Sequence, residues 1–435
     1  MTHAVPAGEL PTAWSRVSPA SPIVRAGREV LVLLGIFGAN GISHGESPWA
    51  AIAVAVIASV AGVVSWRVTR WRVHSGELQI DTGLVRRQQI RVPLTQIQGI
   101  DLVRPLLARM FGVSEIRVVL AGQGSAPARL TYLAEERAID VRAQLLALAH
   151  GLAPDVPEPP ERPIVAVPPG RIVAAGLASI PAAVGVVVLV AGIAVAAVEP
   201  AAIAAALGVF ILLLVLTLGV TWTQVSAEWD FRVAEAPDGL RLQSGLLQHR
   251  SETVPYGRIQ AVRWIEPVCW RPFGWVRLEF DVARRSRAGH ADRQAAATTL
   301  ALLPVGSRDE ARWLLSRVMP GATAELPPTL GVPSRAWLRI PLARRYARLH
   351  ADSAYLSCST GRIRPSVVIV PLGKIQSLRW QQGPWSRWLG LASLYADTAG
   401  RRFTASAEFR SAEEAAHLLA TVPDLARRAR QPARP

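Results

Sequence analysis

Cysteine is nearly missing from this 435-residue chain, and lysine is rarer still. Cys269 and Cys358 are too few for a disulfide framework or a zinc cluster, and they read as reduced packing residues. Of the 48 basic residues only Lys374 is a lysine, and Ile375 follows it, so a phosphate-cradling GxxxxGK[ST] loop is excluded. The eight histidines stand far apart, with no HExxH or paired-ligand spacing, so neither a metal nor a cofactor is expected. GxGxxG is also missing, so no nucleotide fingerprint supports an enzyme. Charge is scarce, at 18% against roughly 25% in average soluble chains.

What is present is apolar: half of the residues are hydrophobic and the mean hydropathy is +0.25. Residues 30–45, 47–66, 172–198 and 200–227 contain no charged side chain. The last three reach the roughly 20 residues that a helix needs to cross a bilayer, and the first joins the second through an HGESP turn. This pattern predicts four transmembrane helices in two hairpins. Arg16, Arg25 and Arg28 precede the first run, Arg67, Arg70 and Arg72 follow the second, and Arg171 and Arg232 bracket the last two. By the positive-inside rule, a multi-pass protein of the cell (cytoplasmic) membrane with both termini cytoplasmic is expected. Trp49, Trp66, Trp71, Trp222 and Trp229 would then form interfacial belts. The N-terminus lacks the apolar core of a cleavable signal, so the first run is expected to be an uncleaved anchor. The net charge of +16 points to anionic lipid of the inner leaflet rather than nucleic acid, since no recognition-helix, RRM or zinc-finger pattern occurs.

The most specific signal is a repeat. Residues 92–112 read VPLTQIQGIDLVRPLLARMFG, residues 254–274 VPYGRIQAVRWIEPVCWRPFG and residues 370–390 VPLGKIQSLRWQQGPWSRWLG, aligned without a gap. Six positions are identical: Val92/Val254/Val370, Pro93/Pro255/Pro371, Ile97/Ile259/Ile375, Gln98/Gln260/Gln376, Arg109/Arg271/Arg387 and Gly112/Gly274/Gly390. Before each copy lies an alternating strand pair around Gly83, Gly245 or Gly361, read as a hairpin. Further strands follow, and then an amphipathic helix over residues 134–150, 307–319 or 411–428. The last two helices open with capping boxes, Ser307 with Glu310 and Ser411 with Glu414. Each unit is thus several antiparallel strands plus a C-terminal helix, and such a small sheet loses its open edges by curling into a barrel.

The VPxxxIQ stretch, the run at residues 383–392 and the alternation of apolar helix pairs with these units resemble the bacterial PH-like, membrane-flanked domain family, the YdbS/YdbT-like membrane proteins, from about residue 25 to 428. The expected fold is therefore four transmembrane α-helices plus three cytoplasmic PH-like domains, each a small antiparallel β-barrel with a C-terminal helix. The expected order is an N-terminal tail (1–25), a first helix pair (26–66), domain 1 (67–152), a Pro-rich linker (153–169), a second helix pair (170–227), domain 2 (228–320), a linker (321–342), domain 3 (343–429) and a tail (430–435). The resemblance implies a role in resistance of the cell envelope to antimicrobial compounds.

Roles follow from the repeated residues. Val, Pro, Ile, Gln and Gly are expected to be structural: proline where a strand starts, isoleucine in the core, glutamine locking a loop, glycine permitting a tight turn. Arg109, Arg271 and Arg387 are the candidate contacts, because guanidinium grips phosphate bidentately. With Trp270, Trp385 and Trp388 they predict an Arg/Trp surface for lipid headgroups or a protein partner, while the Ala- and Gly-rich third apolar run would allow the close helix contact of a homo-oligomer. A non-enzymatic membrane-attached scaffold or lipid and envelope-stress sensor is the expected function. The alternative is a component of a membrane transport or export system, although the charge-free runs lack the ionisable residues that such systems place among their helices.

Overall fold

Alternation builds the strands. In β3 (Glu77–Thr82) Leu78 and Ile80 are fully buried while Glu77 and Asp81 stay partly exposed. A one-residue slip would turn both buried side chains outward, each a loss of about 1.5–3 kcal/mol. The computed structural model describes residues 10–11, 13–21, 60, 62–64, 66–83, 87–120, 128–149, 151, 162–198, 203–236, 239–283, 301–326, 332–341, 344–400 and 403–430. The chain divides into two compact units, residues 1–162 with 234–254, and residues 163–233 with 255–435.

The first unit holds the whole first repeat. β1 (Ser15–Arg16), β2 (Arg70–His74), β3 and β4 (Gln88–Pro93) form an antiparallel sheet in that order. Ser75 and Gly76, both at positive φ, make the two-residue turn between β2 and β3. A second sheet contains β5 (Ile97–Pro105), β6 (Val113–Leu120) and β7 (Ala128–Ala134), with α1 (Leu106–Met110) between β5 and β6. One core joins Trp71, Leu78, Ile80 and Val92 of the first sheet to Ile100, Ile116 and Val118 of the second. α2 (Glu135–Ala149) covers it with Ala138, Val141 and Leu145, an apolar stripe at helical spacing.

β8 (Arg162–Val167), the extended end of the Pro-rich segment, leads into the second unit, where α3 (Pro169–Leu177), α4 (Ile180–Val198) and α5 (Ile203–Glu228) follow. β9 (Phe231–Ala236) runs across the unit boundary, and β10 (Gly239–Ser244) and β11 (Gln248–Val254) belong to the first unit. β12 (Ile259–Ile265), β13 (Trp275–Val282) and β14 (Ala301–Ser307) share a six-stranded sheet with β15 (Arg348–Ala351), β16 (Tyr355–Thr360) and β17 (Ser366–Pro371), in the order β14-β13-β12-β17-β16-β15. β18 (Ile375–Gln381), β19 (Leu391–Thr398) and β20 (Ala405–Ser411) make a separate sheet, with α7 (Pro384–Trp388) between β18 and β19. The terminal helices are α6 (Arg308–Val318) and α8 (Ala412–Arg430). The third hairpin, the least regular in sequence, pairs over six positions from Tyr355↔Pro371 to Thr360↔Ser366.

The repeats are stitched edge to edge. β11 of the second repeat pairs with β5 of the first, and β17 of the third pairs with β12 of the second. Leu102 faces Ser251 and Val103 faces Arg250; at the next junction Trp264 faces Val367 and Ile265 faces Ser366. These are equivalent positions of the repeat, so both junctions have the same register. The compact units consequently do not follow the repeat boundaries.

Two expectations are overturned. Among the described residues no single helix is long and apolar enough to cross a membrane. Residues 172–198 are not one helix but a bent pair, Pro169–Leu177 and Ala182–Ala194, which meets that test only together and turns by 42° between the two. Pro181, at the break, supplies no backbone donor and interrupts the ladder. The end of the next charge-free run is committed to the protein: Val225 and Ser226 near the end of α5 are buried, as is Glu228 just beyond the run. The first proposed pair, residues 26–66, lies almost wholly outside the described residues. The four-helix transmembrane fold is therefore replaced by antiparallel sheets of PH-like character, and the multi-pass placement with both termini cytoplasmic falls with it. Trp71, expected in an interfacial belt, is a core residue, and Trp66 donates from Nε1 to Val17 O at 3.0 Å.

Candidate functional site

The repeat motif builds the same local structure three times. Val92, Val254 and Val370 are buried at the end of a strand. Pro93, Pro255 and Pro371 then lead into 3-10 turns with φ of −58°, −62° and −61°. Proline thus closes a strand rather than opening one, where its fixed φ suits the turn. Ile97, Ile259 and Ile375 return the chain to the core. Gln98, Gln260 and Gln376 each fall at a register shift, between Ile97 and Gly99, Ile259 and Ala261, and Ile375 and Ser377. A bulge is their common property. Gln260 Nε2 does donate to Arg258 O at 3.2 Å, whereas Gln376 is exposed.

After the bulged strand, a short helical turn projects from each repeat: α1, the 3-10 turn Val268–Phe273, and α7. Each ends on the repeated glycine in the left-handed region, with φ of +60° at Gly112, +64° at Gly274 and +63° at Gly390. The glycine N–H donates to the carbonyl of the repeated arginine, at 3.3 Å for Arg109, 3.0 Å for Arg271 and 3.0 Å for Arg387. The carbonyls of Gly112 and Gly390 accept from Glu135 N and Ala412 N, at the starts of α2 and α8. Backbone therefore fixes the base of the turn. The arginine side chains are left outside: Arg109, Arg271 and Arg387 are all exposed, with no side-chain hydrogen bond or ion pair among the described residues.

Exposed apolar residues surround these arginines. They are Leu106, Met110 and Phe111 in the first repeat and Val268 and Phe273 in the second, where Phe273 stacks on Trp275 with ring centroids 4.7 Å apart. In the third, Trp385 and Trp388 are 68% and 76% exposed. Trp270 does not join them. It occupies the inward position of the turn, equivalent to the buried Ala108 and Ser386, and its Nε1 donates to Ala175 O on α3 at 3.1 Å. Three cationic knobs with apolar rims result, suited to an anionic surface that is polar outside and apolar within.

A family model for the bacterial PH domain matches residues 29–149, 175–319 and 300–426. The chain belongs to the bacterial PH domain family. No curated protein and no solved structure matches it. The knob is thus a feature of all three bacterial PH domains of the chain, set between the first two strands of the second sheet in each.

The second PH domain also carries an ion network not anticipated from the sequence. Arg277 on β13 donates from Nη1 to Glu228 Oε2 at 3.0 Å and from Nε to Glu279 Oε1 at 2.9 Å. Arg263 on β12 donates from Nε to the other Glu279 oxygen at 3.1 Å. Burial pushes the Glu279 carboxyl up, but Arg277 and Arg263 outweigh it and hold the pKa at about 2. The alternation of Arg277 and Glu279 on one face of β13 was the available signal; Glu228 lies far away in sequence. In the third PH domain Cys358 is fully buried, and burial raises its thiol to about 12 against the pull of Arg410, so it remains a neutral packing group.

Proposed function

We propose that this chain is a non-enzymatic scaffold whose bacterial PH domains engage anionic phosphate headgroups through their repeated knobs. The observation that carries this reading is the exposure of Arg109, Arg271 and Arg387 at one structural position in three repeats, each held on a glycine-closed turn with apolar neighbours. A solvated surface charge would need neither the repeated turn nor the apolar rim. Each knob is a weak site, and three on one chain gain by multivalency. The test is co-sedimentation of the full chain with vesicles of neutral phosphatidylcholine, or of the same lipid mixed with anionic phosphatidylglycerol, across a salt series. Binding that requires anionic lipid, persists at about 0.3 M salt, where bulk screening acts within less than 10 Å, and falls in the combined variant Arg109→Ala, Arg271→Ala, Arg387→Ala supports the reading. Equal binding by that variant overturns it.

A further inference from the structure

Of the strand edges by which the repeats join one another, two are left over among the described residues. β18 is the third repeat's counterpart of β5 and β12, and among the described residues it pairs only with β19. β4 is the first repeat's counterpart of β11 and β17, and among the described residues it pairs only with β3. A strand paired on one side presents a row of unused N–H and C=O groups on the other, which is a template for another strand. These two edges are the two halves of a junction that the chain already makes twice, β5 with β11 and β12 with β17, in one register.

We propose that a second copy of the chain docks head to tail, its β4 adding antiparallel to β18 in the register of the internal junctions. Val103↔Arg250 and Ile265↔Ser366 then become Gln381↔Gln88 between copies. Leu102↔Ser251 and Trp264↔Val367 become Trp380↔Gln89. The edges are suited to this. Gln88, Gln89 and Gln381 are exposed, Trp380 is half-buried, and no proline or lysine interrupts either pairing stretch. A second copy is the fitting occupant because each chain supplies both complementary edges. The contact is heterologous, so each added copy leaves one β4 and one β18 edge free for the next. It is independent of headgroup binding.

The test mixes two full-length variants, both carrying Cys269→Ser to remove the partly exposed native thiol: one with Gln381→Cys, the other with Gln88→Cys. Both new positions are exposed, so folding is spared. Mild oxidation is expected to yield a disulfide-linked dimer of one chain of each kind. Replacing Gln88→Cys by Gln89→Cys moves the thiol to the opposite face of the strand and is expected to lower the yield about tenfold. Sedimentation velocity of the unmodified chain is expected to show species heavier than the 46.8 kDa monomer. Equal yields from the two mixtures, no cross-link, or a chain that sediments only as a monomer overturns the proposal.

Discussion

Arg277 on β13 grips Glu228 at the end of α5, and the same guanidinium turns its Nε to Glu279 two residues along its own strand. One side chain thereby ties the apolar helix pair to the sheet of the second PH domain. Arg277→Met leaves the buried Glu228 carboxylate without its cation and Glu279 with Arg263 alone, and a loss of about 3 kcal/mol is expected. Adding Glu228→Gln should recover part of it. Denaturant unfolding of the single and double variants measures this; a single variant as stable as the parent contradicts the role of the network.

The same network sets an acid limit. Glu279 is held at about 2, below its ordinary value of 4.5, so its contribution is fully present above about pH 4.5 and is lost as pH falls through about 2. Glu279→Gln should therefore destabilise the protein strongly at pH 7 and hardly at all near pH 2. The difference between parent and variant melting temperatures across that range is the readout.

The knob depends on its glycine. A Cβ at Gly274 would meet nothing within 4 Å, so the cost of Gly274→Ala is backbone strain alone at φ +64°. About 1 kcal/mol is expected from left-handed backbone. A thermal scan that shows no loss would mean that the turn relaxes out of this conformation.

At the start of α6, Ser307 Oγ accepts from Glu310 N at 3.1 Å, and Glu310 Oε2 accepts from Ser307 N at 2.7 Å. Glu310 also accepts from Arg171 of α3 at 2.9 Å. Ser307→Ala should cost about 1 kcal/mol, and Glu310→Ala more, since it also frees Arg171. Equal losses in chemical denaturation would exclude the second link.

Much of this arrangement is legible in the chain itself. Gaplessly repeated Val-Pro, Ile-Gln, Arg and Gly announce three equivalent units, and each residue type matches a place: strand end, bulge, exposed knob, left-handed cap. Ser307 and Glu310 mark the start of α6 from sequence alone, and both halves of their box form. At Ser411 one half is present, Glu414 N donating to Ser411 Oγ at 3.2 Å. Other features are not local. Nothing in the alternation of β5 tells that its free edge meets β11 of the next repeat, because edge pairing depends on backbone rather than side-chain pattern. Lack of charge in residues 172–198 conceals the break at Pro181, and composition cannot distinguish Trp71 in a core from Trp71 at an interface. The place of Trp270 is hidden in the sequence for a similar reason: only the turn's inward face, shared with Ala108 and Ser386, shows where it points.

Hydrogen exchange of the full chain, with and without vesicles containing anionic phosphatidylglycerol, tests the headgroup reading most directly. Slowed exchange is expected, concentrated in the three knob segments, Leu106–Met110, Val268–Phe273 and Pro384–Trp388, with no such change in the presence of neutral vesicles. Protection confined to other segments, or none in these three while the protein is vesicle-bound, would contradict it.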